Sequence, residues 1–252
     1  MAESDREIYV YGIVPADVET EPDARGVGEP PGKVSTVKRG DVAALVSPVA
    51  TDRALGRPED VAAHAALLDG AAAEAPVLPV KFGAVLTNTD QVAEELLAAH
   101  HDEFADALRE LEGKAEYVVK GRYRQEAILR EILAENDELG RLRDELRGRP
   151  DDATRNERIA LGEGINNAID AKREADTETT AAALRELGLT VTVREPTHEE
   201  DAVHLACLAE TAKQADLEEA VGRLAQEWDD RVSLRLLGPL APYDFVVSKA
   251  TG

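Results

Sequence analysis

Five histidines, one cysteine and 51 carboxylates are the groups from which this 252-residue chain would build acid–base, nucleophilic or metal chemistry. His100 and His101 stand beside Asp102, Glu103 and Asp106. Metal sites on helices use Glu-x-x-His or His-x-x-x-His pairs that converge on one face, and neither spacing occurs there. Between Leu96 and Phe104, His100 reads as a buried, hydrogen-bonded imidazole. His64 follows Asp60 by four residues and reads as half of a helix-surface pair. His198 and His204 flank an acidic turn with nothing nearby to complete a triad. Cys207 is expected to point into a core as a small hydrophobe, and a lone thiol excludes an internal disulfide or a Cys-rich zinc site. Neither G-x-G-x-x-G nor G-x-x-x-x-G-K-[ST] occurs, and Gly162-Glu163-Gly164 reads as a packing point within a helix. No catalytic, cofactor-binding or metal-binding residue is assigned, so the expectation is a protein that is not an enzyme and uses no cofactor.

Two segments fit regular secondary structure poorly. Leu78-Pro79-Val80-Lys81-Phe82-Gly83 sets a proline, a cation and an aromatic ahead of a glycine. The run LGPLAPYDFVV, residues 237–247, is apolar and punctuated by prolines. The first reads structurally as an irregular edge strand and the second as a tail that docks on the other domain. The alternative for both is a partner-binding surface, with Lys81, Phe82, Gly83, Pro239, Pro242, Tyr243 and Phe245 as its candidate residues.

The elements that must position these segments follow from periodicity. Residues 7–14 alternate as a strand, with Ile8, Val10 and Gly12 on one side and Tyr9, Tyr11 and Ile13 on the other. Residues 16–32 read as loop. Residues 33–38 and 42–47 form a hairpin about Arg39-Gly40-Asp41. Pro58 opens a helix with Glu59 and Asp60 in its first turn, where the dipole favours negative charge; Val61, Ala65, Leu68 and Ala72 form its apolar stripe. A helix begins near Asn88, with Gln91 placed for a capping box. These elements make an N-terminal α+β domain, residues 1–112.

From residue 113 onward the order is β–α–β–β–α–β, that of a ferredoxin-like sandwich. Its strands are 115–123, 189–195, 203–209 and 232–236, and its second helix begins at Asp216. The first helix is expanded into a long helical hairpin, about 124–187, that turns at Gly148-Arg149-Pro150. Ile128, Ile132, Leu139, Leu142 and Leu146 mark one seam, and Ile159, Ile165, Ile169 and Leu184 a weaker one. The hairpin reads as an exposed arm packed mainly on itself. The second domain, 113–252, is thus a modified ferredoxin-like domain with a C-terminal tail, 238–252, and the fold class is α+β.

Composition narrows the function. With 29 basic and 51 acidic residues the net charge is −22, which repels phosphate backbones and anionic lipid, so neither nucleic acid nor membrane is an expected partner. At 43% hydrophobic the chain can build a core, but aromatics are only 4%, so Ala, Val, Leu and Ile must fill it. The start MAESDREIYV lacks the basic and apolar regions of a signal peptide, and no apolar run reaches the ~18 residues of a membrane span. The expectation is a cytoplasmic protein whose acidity reflects a high-salt host or colloidal solubility.

The opening strand IYVYGIV, the block LPVKFGAVL, EYVVKG at 116–121 and the ending LGPLAPYDFV at 237–246 together resemble the gas vesicle protein family GvpF/GvpL. Lys81 stands where the family has arginine, which replaces a planar guanidinium fork by a point charge. Tyr117 stands in place of a common tryptophan, and Leu240-Ala241 in place of Trp-Pro. The resemblance implies an α+β domain followed by a modified ferredoxin-like domain, and no enzymatic activity. It implies an accessory protein of the gas vesicle that binds the major shell subunit GvpA and other accessory proteins during assembly. The alternatives are a minor structural component of the vesicle wall without a chaperone role, or a ferredoxin-like small-ligand regulatory module.

Overall fold

The computed structural model describes residues 6–50, 54–228 and 230–246. They fall into two compact units. The first comprises Met1–Tyr117, Leu208–Lys213 and Gly238–Gly252; the second comprises Val118–Cys207 and Gln214–Leu237. The boundary read from the sequence at 112/113 gave the tail to the ferredoxin-like part, whereas residues 238–246 group with the first unit. Residues 247–252 of the expected tail lie outside the described residues.

The first unit is built on β1 (Arg6–Pro15), β2 (Ser35–Arg39) and β3 (Val42–Ala50), in the order β2-β3-β1. All pair antiparallel, and β2 and β3 form the expected hairpin about Gly40. The run 77–86 supplies two very short strands, β4 (Leu78–Pro79) and β5 (Val85–Leu86), both antiparallel to the free side of β1. Between them, Val80 N–H donates to the Tyr11 carbonyl and Val10 N–H to that of Ala84, at 2.9 Å each. Pro79 interrupts the ladder because it has no N–H to donate.

Strict alternation in β1 does not hold. The register against β3 shifts between Val10 and Gly12, a β-bulge that turns Tyr11 and Gly12 toward the same face. A Cβ at position 12 would lie 2.8 Å from Leu68 Cδ2 and from the Leu78 carbonyl oxygen, so the bulge needs glycine. Each face of this sheet carries a core. Tyr9, Tyr11 and Val14 pack with Leu68 and Ala72 of α1 (Pro58–Glu74) and with Ala241. Val10 and Ile13 pack with Val92, Leu97 and Leu108 on the other face. That second cover consists of a short α2 (Thr89–Gln91), a π-helical stretch Val92–Ala98 and α3 (His101–Glu110). Asn88 caps the helix as expected, its Oδ1 accepting from Gln91 N–H, whereas the Gln91 side chain reaches past Asn88 to accept from Thr87 N–H in place of closing a capping box, at 2.9 Å each.

The ferredoxin-like strands are β6 (Lys114–Tyr123), β7 (Thr190–Val193), β8 (Asp201–Glu210) and β9 (Val232–Leu240), in the order β7-β8-β6-β9. With the intervening helices this is the expected split βαβ arrangement. Its second helix is α7 (Gln214–Glu227), and Cys207 is fully buried, as read. The hairpin's first arm is two helices, α4 (Gln125–Glu135) and α5 (Asp137–Leu146), broken at Asn136, whose side chain caps α5. Its second arm is α6 (Arg155–Glu186). Ile128, Ile132, Leu139 and Leu146 are buried as the seam predicts, whereas Ile159 is exposed. The end of α6 belongs to the core, with Thr180, Ala181 and Leu184 buried.

In the second unit, Asp176 on α6 accepts two parallel bonds from the Arg231 guanidinium, at 2.6 and 2.8 Å, and one from the Tyr123 hydroxyl at 2.7 Å. Arg231 also lies over the Trp228 ring, at 5.1 Å from its centroid. Among the described residues no helix is long and apolar enough to cross a membrane.

Candidate functional site

Tyr9 and Tyr11 are two apart on β1 and so face the same way, toward α1. On α1 the buried residues are Asp60, His64, Leu68 and Ala72, one every four residues and therefore one continuous stripe. The expected stripe began at Val61, which is half exposed, and the expected surface pair Asp60 and His64 is inside. Asp60 binds the backbone N–H groups of Gly28, Gly56 and Arg57, at 3.0, 3.2 and 3.2 Å. It thereby ties the helix start to the loop before β2.

His64 is the centre of an aromatic box in the first unit. Its Nδ1 lies 2.9 Å from the Tyr9 hydroxyl and its Nε2 lies 2.7 Å from the Tyr243 hydroxyl. The Tyr11 ring stacks on the imidazole, and the Phe82 ring meets it edge-on, with centroids 5.6 and 5.5 Å away. Gly83 N–H donates to the Tyr9 oxygen at 3.0 Å. Burial lowers the His64 imidazole below its ordinary 6.5, with the Val80 carbonyl working the other way. Burial also pushes the phenols of Tyr9 and Tyr243 up to about 12. At neutral pH the box therefore holds a neutral imidazole between two protonated phenols, and it joins β1, α1, the 78–86 segment and the tail by hydrogen bonds.

The Tyr11 hydroxyl lies 2.7 Å from Ser47 Oγ and accepts from Val27 N–H at 2.7 Å. A Cβ at Gly26 would come within 2.2 Å of it. Glycine at 26 thus lets the loop close over the tyrosine, which orders a stretch whose sequence shows no periodicity.

The tail is fastened at three points. Ala241 N–H donates to Asp69 at 2.9 Å and Asp244 N–H to the buried Glu116 at 3.0 Å. The third is Tyr243 on His64. Burial raises the Asp69 carboxyl, and the Ala241 N–H opposes that shift. Of the seven candidate residues, Phe82, Gly83 and Tyr243 meet around Tyr9 and His64. Pro242 is buried, and its carbonyl accepts from the N–H of Phe245, which is half-buried. Pro239 is half-buried and follows a cis peptide bond, while Lys81 is exposed. Residues 243–246 form a turn and no strand.

Sequence reasoning missed His64, Asp60 and Asp69, the polar members of an otherwise apolar arrangement; for Asp60 and His64 the four-residue spacing to Leu68 and Ala72 was the available signal. It also misplaced His100, which is exposed and lies 3.5 Å from Glu103. Among the described residues no group of three or more His, Cys, Asp or Glu side chains is arranged to hold a metal ion. A groove of about 1240 Å3 in the first unit has an apolar floor that includes Val18, Leu67 and Leu108, and Glu19, Glu21 and Glu112 also line it. Its lining contains neither histidine nor cysteine.

Comparison with known proteins places this arrangement in context. The profile of a family described as gas vesicle synthesis protein GvpL/GvpF matches residues 7–247. Gas vesicle protein F of Streptomyces sp. (strain CB03234) is 32% identical over 94% of this chain and 98% of its own length. Gas vesicle protein F of Dolichospermum flosaquae is 24% identical over 94% of this chain and 96% of its own. Two crystal structures share the fold. GvpF from Anabaena sp. PCC7120 has a TM-score of 0.74 at 22% identity, covering 94% of this chain and 96% of that one. GvpF from Microcystis aeruginosa has a TM-score of 0.73 at 20% identity, covering 95% and 98%.

Proposed function

The chain belongs to the GvpL/GvpF family of gas vesicle synthesis proteins, and from that premise we propose that it is a non-enzymatic accessory protein that binds the major shell subunit GvpA and other accessory proteins during vesicle assembly. The observation that carries this reading is the family match across 7–247, which draws on both units. A shell subunit that must face gas exposes apolar surface before it is assembled, an aggregation hazard that a strongly charged partner offsets. Such a role places the protein in the cytoplasm and at the growing vesicle, without contact to nucleic acid or membrane.

Two features support binding over chemistry. The aromatic box holds no group poised to exchange a proton near neutral pH. The 78–86 segment is an interrupted strand at the edge of the first sheet, the position at which a partner's strand would add. The turn at 243–246 removes the tail from that role. Phe82 lies in the box, so Phe82→Asp would disturb the core; exposed Lys81 is the position that probes the edge.

Co-expression with GvpA tests the proposal. The fraction of shell subunit left in the supernatant after centrifugation should rise several-fold in the presence of this protein. Lys81→Glu should reduce that rise while leaving the protein folded. If the shell subunit sediments equally with and without it, the chaperone reading is wrong, and recovery of the protein in washed intact vesicles would make it a wall component.

A further inference from the structure

The strands of the second unit carry mostly basic charge, against the acidity of the chain as a whole. The whole sequence has 51 acidic and 29 basic residues. Yet within 118–123, 190–193, 201–207 and 232–237 the charged residues are Lys120, Arg122, Arg235 and a single carboxylate, Asp201, with His204 beside them.

Their common face follows from the pleat. A Cβ at Gly121 would meet Leu234, Val232 and Val203, and the next residue but one, Tyr123, reaches Asp176 on α6. Those residues define the helix-covered face. Lys120 and Arg122 on β6, His204 on β8, and Ser233 and Arg235 on β9 therefore project from the other face. Arg122 is half exposed, and Ser233, Arg235 and Leu237 are exposed.

Asp201 offsets part of this face: Lys120 Nζ lies 3.8 Å from its Oδ2 and donates to Thr197 Oγ1 at 2.7 Å, so Lys120 is engaged by the same loop. Asp201 is 1% exposed, and its Oδ2 is taken by Thr197 N–H, Thr197 Oγ–H and His198 N–H at 2.8, 2.8 and 3.0 Å. Its Oδ1 has no hydrogen bond and lies 3.6 Å from Arg122 Nε. Burial would raise its pKa, but the Thr197 hydrogen bonds and Lys120 outweigh that and keep it ionised. It serves its own loop and Lys120, and leaves Arg122 half exposed.

We propose that this face of β6, β8 and β9 docks an acidic, extended segment of a partner protein through Arg122 and Arg235. A mostly cationic stripe complements a short anionic segment, whereas two whole copies of a chain of net charge −22 repel one another. Tyr117 and Tyr123 lie on or continue the helix-side register, so the stripe carries no Tyr, Phe or Trp ring, and its imidazole, His204, is half-buried and bonded to the Glu195 carbonyl, which disfavours single-stranded nucleic acid. The proposal is independent of the shell-subunit reading.

Fluorescence anisotropy on the full chain tests it with three labelled probes: a twelve-residue peptide of alternating Glu and Leu, its Lys-Leu counterpart, and a twelve-nucleotide single strand. The Glu-Leu peptide should bind saturably and more weakly as salt rises, and the oligonucleotide should not. Attraction of the Lys-Leu peptide to the acidic remainder of the surface should not weaken in Arg235→Glu. Arg235→Glu and the milder Arg122→Gln should each weaken Glu-Leu binding, about tenfold for the reversal and less for the neutralisation. Arg223→Glu on α7, which breaks only an exposed pair with Glu219, should leave affinity unchanged. Thermal unfolding of each variant separates lost binding from lost fold. Equal affinity of folded Arg235→Glu and the wild type overturns the proposal. So does tighter binding of the oligonucleotide, or a dimer of this chain that Arg235→Glu dissolves.

Discussion

A histidine between two tyrosine hydroxyls couples tail docking to pH with a definite sign. Burial disfavours the His64 imidazolium, so the unfolded chain binds more protons than the folded one below the ordinary value of 6.5. The stabilisation is complete above that value and is lost as pH falls toward the depressed folded value. Asp69 carries the opposite sign in the carboxylate range, because burial raises its pKa and acid relieves that cost. Urea midpoints from pH 8 down to 5 should therefore decline for the wild type, and His64→Gln should flatten the decline. His64→Ala should cost about 2 kcal/mol at pH 7.5, from two hydrogen bonds and lost packing. A flat wild-type profile would mean that the box accommodates the charged ring.

At the scale of elements, the hairpin divides into a free part and a part that the core requires. Asp176 and Leu184 on α6 are buried, and Asp176 holds Arg231 and Tyr123. Removing one partner of a buried charge pair costs about 3–5 kcal/mol, so Asp176→Ala should lower the urea midpoint accordingly, and Tyr123→Phe should cost about 1 kcal/mol. Replacing residues 137–164 by a short Gly-Ser linker should leave a cooperatively folded protein by circular dichroism, whereas a cut through residue 187 should not. Much of this architecture was legible in the sequence, because Ile128, Ile132, Leu139 and Leu146 keep helical spacing and Val203, Leu205 and Cys207 keep strand spacing. The bulge at Tyr11 and Gly12 was not legible, since strict alternation and a bulged strand differ by one residue that only the packing against Leu68 reveals. The aromatic box was half legible. Phe82, Gly83 and Tyr243 stood out by composition, while His64 was hidden by its acidic neighbour Asp60 one turn earlier.

For the whole molecule, the charge of −22 is a property of solubility and encounter more than of fold. Attraction of an apolar client by contact surface should survive screening, whereas attraction by charge should fade as the Debye length contracts from about 10 Å at 0.1 M salt to about 3 Å at 1 M. The account rests on the first kind for the shell subunit. Its most direct test is co-purification of the tagged chain with co-expressed GvpA at both salt concentrations. A soluble complex that persists at 1 M salt is the predicted result. Recovery of the chain alone at both concentrations, with the shell subunit aggregated, would contradict it.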